Sequence, residues 1–265
     1  MDDSYLIVEK KNRIISVTMN RPERLNAFDR QGVHEFIHIM TEYRDDPDLW
    51  CMIITGVGER AFCVGLDVKA MSAAQKSEKG RPVQEYTFWK PVADLMQAIN
   101  KPFIAAVNGW CVGGGWHLVA DSDIVIASEN ALFRDTHVNV GLINGPEATG
   151  LAWKMPVGVV MRMCIEGRHW QATAQQAYQW GLVTEVLPFP KLVPRAWEIA
   201  THIVEESAPL AVQGTKKAIL GGLSRGLHEG IAYTWTVLPE VHATQDVQEG
   251  PRAFVEKRKP RFQGR

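Results

Sequence analysis

Two short segments carry the residue types best suited to chemistry: Arg60-Ala-Phe-Cys-Val-Gly-Leu-Asp-Val-Lys69 and Asn108-Gly-Trp-Cys-Val-Gly-Gly-Gly-Trp-His117. Each places small residues directly after an apolar run that reads as a strand. A strand ending in glycines lets bare peptide N–H groups approach a ligand, and a helix opening there adds the positive end of its dipole. Together the segments predict a paired backbone N–H site for an oxyanion, suited to reactions that build negative charge on a carbonyl oxygen.

The elements that must hold these loops follow from the hydrophobic pattern. Ile14 to Met19, Met52 to Thr55, Phe103 to Val107 and Asp123 to Ala127 are short, mostly β-branched runs that read as strands, the later ones buried on both faces. Between them, Asp29 to Tyr43 carries Val33, Phe36, Ile37 and Met40 at helical spacing, and Val83 to Ile99 carries Phe88, Val92, Leu95, Met96 and Ile99 likewise. Alternating strands and helices imply parallel pairing with right-handed crossovers. Beyond residue 146 the chain turns helical. Pro146 and Glu147 suit a first helical turn, Thr173-Ala-Gln-Gln176 has capping-box spacing, and Gly181 is placed to stop that helix. Helices are expected over Val193 to Glu206 and Leu210 to Leu223, broken by Pro209, and Ser72 to Arg81 is polar enough for a mobile loop.

Composition excludes several function classes. The chain has 265 residues, 46% of them hydrophobic, enough for one substantial core. Its 29 basic and 30 acidic residues leave a net charge of −1, so no global field draws it to nucleic acid or an anionic membrane. The acidic start Met1-Asp-Asp-Ser is no export signal, and no run of about 18 apolar residues occurs, so a cytoplasmic protein is expected. Cys51, Cys63, Cys111 and Cys164 lack C-x-x-C spacing and read as reduced thiols. Cys63 and Cys111 lie within the two loops, where small-residue packing competes with a catalytic thiol. His34 and His38 stand four apart on a helix without a third ligand, so no metal site is expected. The glycine run lacks the Gly-Lys-Ser/Thr of a phosphate loop and the acidic partner of a dinucleotide fingerprint. Trp110 and Trp116 flank it, either shaping a pocket or packing under the sheet.

Taken in order, Asn20-Arg-Pro-Glu-Arg-Leu-Asn-Ala-Phe28, Arg60 to Met71, Pro102 to Asp123, Ala177 to Val186 and Gly250-Pro-Arg-Ala-Phe-Val-Glu-Lys-Arg-Lys259 resemble the crotonase (enoyl-CoA hydratase/isomerase) superfamily from about Ile14 to Arg265. The resemblance implies an α/β fold: a ββα spiral core over residues 1–200, then a C-terminal helical trimerisation region over 201–265. It implies an oxyanion hole formed by the backbone N–H groups of Leu66 and Gly114. It also implies coenzyme A contacts from Arg24, Leu25, Ala27, Asp67 and Lys69, with Phe254 and Lys257 supplied by a neighbouring subunit's tail. The substrate would be an acyl-CoA thioester, no separate cofactor would be needed, and the assembly would be a homotrimer or a dimer of trimers. Exposed apolar faces on Leu210 to Leu227 would suit that assembly.

The chain departs from the family where acids are expected. Typical hydratases of the family carry a glutamate three residues after the middle glycine of the Gly-Gly-Gly run and another four residues after the phenylalanine matching Phe133; here those positions are His117 and His137. An imidazole with an ordinary pKa near about 6.5 still moves protons at neutral pH, but two imidazoles favour anionic intermediates where two carboxylates would repel them. Glu147 opens the helix after His137 and is read either as a third acid/base group or as a first-turn glutamate facing the helix dipole. Arg134 and Asp135 either orient His137 or form a surface ion pair.

Three functions compete. In the first, an acyl-CoA enzyme stabilises a thioester enolate while His117, His137 and Glu147 handle protons in hydration, isomerisation or C–C cleavage. In the second, a β-diketone C–C bond hydrolase uses the same oxyanion hole without coenzyme A. In the third, an inactive acyl-CoA-binding homologue retains only the binding surface. Coenzyme A affinity separates the second from the others, and turnover separates the first from the third.

Overall fold

A computed structural model describes residues 4–67 and 89–265. Strands β1 (Leu6–Lys11) and β2 (Ile14–Met19) form an antiparallel hairpin. Its turn residues Asn12 and Arg13 take φ of 50° and 67°, as a two-residue type I′ turn requires. Onto β2 the chain adds β3 (Cys51–Gly56), and then, with intervening excursions, Phe103–Val107, Ile124–Ser128 and Glu185–Leu187, all parallel. Each excursion contributes a short strand to a second sheet. There β4 (Ala61–Cys63) pairs parallel with Trp110–Val112, which pairs parallel with Leu132–Arg134, closed by an antiparallel strand at Ala172–Thr173. In chain order these strands are β5 (Phe103–Val107), β6 (Trp110–Val112), β7 (Ile124–Ser128), β8 (Leu132–Arg134), β9 (Ala172–Thr173) and β10 (Glu185–Leu187). The sheets run β1-β2-β3-β5-β7-β10 and β4-β6-β8-β9. Consecutive turns of the chain are therefore strand, strand and helix, stacked so that equivalent loops lie side by side, as expected of a ββα spiral.

The central strands β3, β5 and β7 of the main sheet are buried on both faces, which accounts for their apolar runs. Alternation sorts each strand between two clusters. Met52, Ile54, Phe103, Ala105 and Val107 join the large core beneath the second sheet. Cys51, Ile53, Ile104 and Ala106 face the opposite way, onto Leu192, Ala196, Ala200 and Val204. Those four residues recur every fourth position. They form the apolar stripe of a helix, Phe189–Glu206, that begins four residues before the expected Val193. Pro190 sits in its first turn, where a missing N–H costs nothing, so proline marked no boundary there.

The remaining helices position the site. The first two are α1 (Arg30–Asp45), capped by the Asp29 side chain accepting from Gly32 N–H at 3.1 Å, and α2 (Lys90–Ala98). The part of the expected Val83 to Ile99 helix before residue 89, and the loop expected at Ser72 to Arg81, lie outside the described residues. Then come α3 (Gly115–Ala120), α4 (Pro146–Leu151), α5 (Val157–Glu166), α6 (Ala174–Gln179) with the expected capping box, and α7 (Phe189–Glu206). The tail is α8 (Pro209–Leu223), α9 (Leu227–His242) and α10 (Asp246–Val255). Among the described residues no helix is long and apolar enough to cross a membrane.

Candidate active site

The ends of β4, β6 and β8 converge because these strands are parallel neighbours in consecutive turns. Cys63 pairs with Cys111, and Val112 with Arg134, so the loop after each strand opens at the same edge. The first two loops approach as closely as backbone allows. A Cβ on Gly65 would lie 2.5 Å from the Gly114 nitrogen, and one on Gly115 would lie 2.3 Å from the Cys63 carbonyl oxygen. Gly65 also takes φ of +85°, a left-handed conformation that favours glycine. Leu66 follows in a parallel bridge to Phe28: Phe28 N–H donates to Gly65 C=O at 2.8 Å, and Asp67 N–H donates to Phe28 C=O at 2.7 Å. In such a bridge the N–H of the central residue points to the opposite side. Leu66 N–H thus turns away from Phe28, while Gly114 N–H heads the first turn of α3, whose initial N–H groups lack helical acceptors.

Two imidazoles alternate with carboxylates in a buried row. His117, on α3, and Glu147, on α4, are each only 5% exposed, and Nε2 of the imidazole lies 2.9 Å from Oε1 of the carboxylate. The same oxygen is 3.7 Å from His137 Nε2. On the other side of that ring, Nδ1 meets the fully buried Asp135 Oδ1 at 2.6 Å. A carboxylate only accepts, so Nδ1 carries the proton and Nε2 is the nitrogen turned toward Glu147. Asn144 braces the arrangement: its Nδ2 donates to Asp135 at 3.0 Å, and its Oδ1 accepts from Ala148 N–H on α4 at 2.9 Å. Beyond His117, Asp121 Oδ2 lies 3.8 Å from Nδ1, an ion-pair distance rather than a hydrogen bond.

Burial alone would lower the His117 imidazole, but the carboxylates of Asp121 and Glu147 outweigh it and the group is pushed up to about 9. His137 moves up as well: burial opposes, and Asp135 with Glu147 prevails. Burial would raise the Glu147 carboxyl, yet the His117 hydrogen bond and charge hold it below the usual carboxylate range. At neutral pH the centre of the row is therefore an imidazolium–carboxylate pair in a nearly closed site.

The same geometry places other residues that the sequence singled out. Glu147 stands between both histidines, and Asp135 orients His137 from a fully buried position rather than pairing at the surface. Trp116 packs beneath the loop, donating from Nε1 to Arg134 C=O at 2.9 Å, while the half-buried Trp110 lies under the Arg134 guanidinium. Cys63 and Cys111 are buried, and burial pushes the Cys63 thiol up to about 12, so both are packing residues. His34 and His38 are exposed on α1.

The segment from Arg24 to Phe28 lies beside the first loop through the Leu66 bridge, with Ala27 buried and Arg21 Nη2 3.6 Å from Asp67. Lys69 lies outside the described residues. Phe254 is 86% exposed at the end of α10, and Lys257 follows at the surface in left-handed backbone.

Asp121, Asn144 and Trp89 were not marked by any motif. Only Asp121 had a signal, its i+4 spacing from His117 on one helix. Trp89 stacks on His117 with ring centroids 5.8 Å apart at 27° and meets Phe28 edge-on at 5.1 Å.

The enoyl-CoA hydratase/isomerase family model matches residues 9–265. Among similar proteins, (E)-benzylidenesuccinyl-CoA hydratase of Thauera aromatica is 35% identical over 265 residues, covering 97% of this chain and 98% of that one. Carnitinyl-CoA dehydratase of Proteus mirabilis is 34% identical over 262 residues, 96% and 97% of the two chains. The crystal structure of an enoyl-CoA hydratase/isomerase from Mycobacterium paratuberculosis is 39% identical with a TM-score of 0.87, over 99% of each chain. That of an enoyl-CoA hydratase from Bacillus anthracis has a TM-score of 0.90 at 30% identity, over 99% of this chain and 100% of that one. The spiral, the paired loops and these full-length matches agree, and the chain belongs to the enoyl-CoA hydratase/isomerase family.

Proposed function

We propose that this protein adds water to an enoyl-CoA thioester, or removes it from the corresponding hydroxyacyl thioester, with His137 as the acid/base group. The observation that carries the reading is the single Glu147 oxygen set 2.9 Å from His117 Nε2 and 3.7 Å from His137 Nε2, while Asp135 fixes the far side of His137 at 2.6 Å. Asp135 sets tautomer and orientation, as the third group of an acid/base triad does. In the hydration direction, His137 Nε2 accepts a proton from water as its oxygen bonds to C3. The C2=C3 electrons pass to the thioester oxygen, and the same proton returns to C2. The Leu66 and Gly114 N–H groups would hold that oxygen, each such donor being worth about 2.7–4 kcal/mol in the transition state. His117, as imidazolium, keeps Glu147 ionised, and Glu147 in turn stabilises the imidazolium formed on His137. Two histidines thus serve in place of two glutamates, one moving protons and the other setting charge.

The relatives named hydratase and dehydratase support this direction of chemistry over C–C cleavage without coenzyme A. The same reading includes self-association. Leu223, Leu227, Ile231 and Trp235 are exposed along α8 and α9, and a homotrimer or dimer of trimers would cover such faces and bring Phe254 and Lys257 to a neighbour's nucleotide. Light scattering that finds only monomer would refute that part.

The catalytic test is turnover of a panel of enoyl-CoA thioesters by wild type and His137→Ala. Wild type is expected to hydrate at least one, and His137→Ala to lose about 10²–10⁴-fold in kcat while keeping its affinity for coenzyme A. Full rate in His137→Ala would remove the acid/base assignment. Turnover of cyclic β-diketones with no coenzyme A binding would replace the whole reading.

A further inference from the structure

The buried tryptophans differ in one respect. Trp116 donates from its indole nitrogen to Arg134 C=O at 2.9 Å, and Trp50 donates to Pro47 C=O at 2.9 Å. Trp89 is equally enclosed, at 4% exposure, yet its Nε1 has no hydrogen-bond partner among the described residues. Buried indole N–H groups are normally paired, so an orphan points to a partner that arrives from outside.

Its location is defined from three directions. The nitrogen edge of the ring lies against Gly114: a Cβ there would be 2.4 Å from Nε1, 2.9 Å from Cε2 and 3.0 Å from Cδ1. One face stacks on His117, 5.8 Å between centroids, and the ring meets Phe28 edge-on at 5.1 Å. Phe28 is itself bridged to Leu66. Trp89 therefore touches the residue carrying one proposed oxyanion donor, is linked through Phe28 to the other, and covers an imidazole of the charged row. The packing holds the ring in place and leaves its donor unused.

We propose that Trp89 is a ligand-binding residue whose indole N–H donates to the acyl-thioester part of a bound acyl-CoA beside the Gly114 N–H. This rests on the function proposed above and adds to the paired backbone donors a third one from a side chain. It also explains Gly114 by more than backbone access, because any side chain there would displace the indole nitrogen.

The test uses full-length protein, acetoacetyl-CoA and free coenzyme A as probes, and Trp89→Phe, which keeps an aromatic ring and deletes the donor. Calorimetry should show acetoacetyl-CoA binding weakened about tenfold in Trp89→Phe, with coenzyme A binding unchanged. In wild type labelled at the indole nitrogens, the Trp89 N–H resonance, assigned from its contacts to His117 and Phe28, should move downfield with acetoacetyl-CoA and stay put with coenzyme A. This second readout needs no variant to fold. Unchanged acetoacetyl-CoA affinity in Trp89→Phe, equal weakening for both probes, or an unmoved resonance overturns the proposal while leaving wild-type turnover intact. Failure of wild type to bind either probe overturns this proposal and the proposed function together.

Discussion

In the proposed site Leu66 and Gly114 would supply only backbone, whereas His117, Glu147, His137 and Asp135 would supply side chains, and the two halves depend on different physics. The backbone half is set by steric exclusion: Gly65, Gly114 and Gly115 stand where a Cβ would strike backbone or the Trp89 ring at 2.5, 2.4 and 2.3 Å. The side-chain half is set by electrostatics, since each buried charge is tolerable only because an opposite charge lies next to it. The first half should fail abruptly when any atom is added. The second should fail in steps graded by charge and distance.

The sharpest way to break this contrast is Gly65→Ala, which adds one carbon where the two loops meet and places alanine at φ of +85°. We expect kcat/KM to fall by about 10²–10³-fold, as when an oxyanion donor is lost, with a lower melting temperature. Activity within threefold of wild type would show that the loops need not abut.

Glu147→Gln probes the other half with almost no change of shape. The expected loss in kcat is about 10²-fold, and the informative readout is stability against pH. His117 is raised from 6.5 to about 9, so its contribution to stability is complete below 6.5 and disappears as pH rises through 9. Glu147 is lowered from 4.5, so its contribution is present above 4.5 and disappears as pH falls through the folded value. Wild-type melting temperature should therefore decline between pH 6.5 and 9, and Glu147→Gln should flatten that decline. An identical slope in the variant would mean that the pair is not ionised as argued.

The smallest effect is expected from Asn144→Ala, which removes the brace between Asp135 and α4 and leaves every charge in place. A cost of about 1–2 kcal/mol in stability and a three- to tenfold loss in kcat would fit two lost hydrogen bonds, measured by thermal denaturation and steady-state rates. A loss as large as that of Glu147→Gln would place Asn144 in the chemistry itself.

Much of the fold was legible because its central strands are buried on both faces and so appear as apolar runs, while Asp29, Thr173 and Gly181 mark helix ends by local hydrogen bonds and backbone conformation. The short strands β4, β8 and β9 were less visible, being two or three residues long and stabilised by neighbours distant in sequence. In the site, glycine-rich loops announced themselves by composition. Trp89 did not, because a tryptophan at a helix start looks the same whether its N–H is satisfied or left over for a ligand.

By itself the sequence determined that apolar strands would alternate with helices, that two of those strands would end in small residues, and that His117 and His137 would each follow closely after a short strand. Only the tertiary structure decided that Glu147 lies between these histidines, that Asp135 is buried behind one of them and that Trp89 covers the other. The reason is geometric: local patterning depends on residues a few positions apart, whereas this cluster draws on β8, α3, α4 and the start of α2, whose separations exist only once the turns of the spiral have stacked in register.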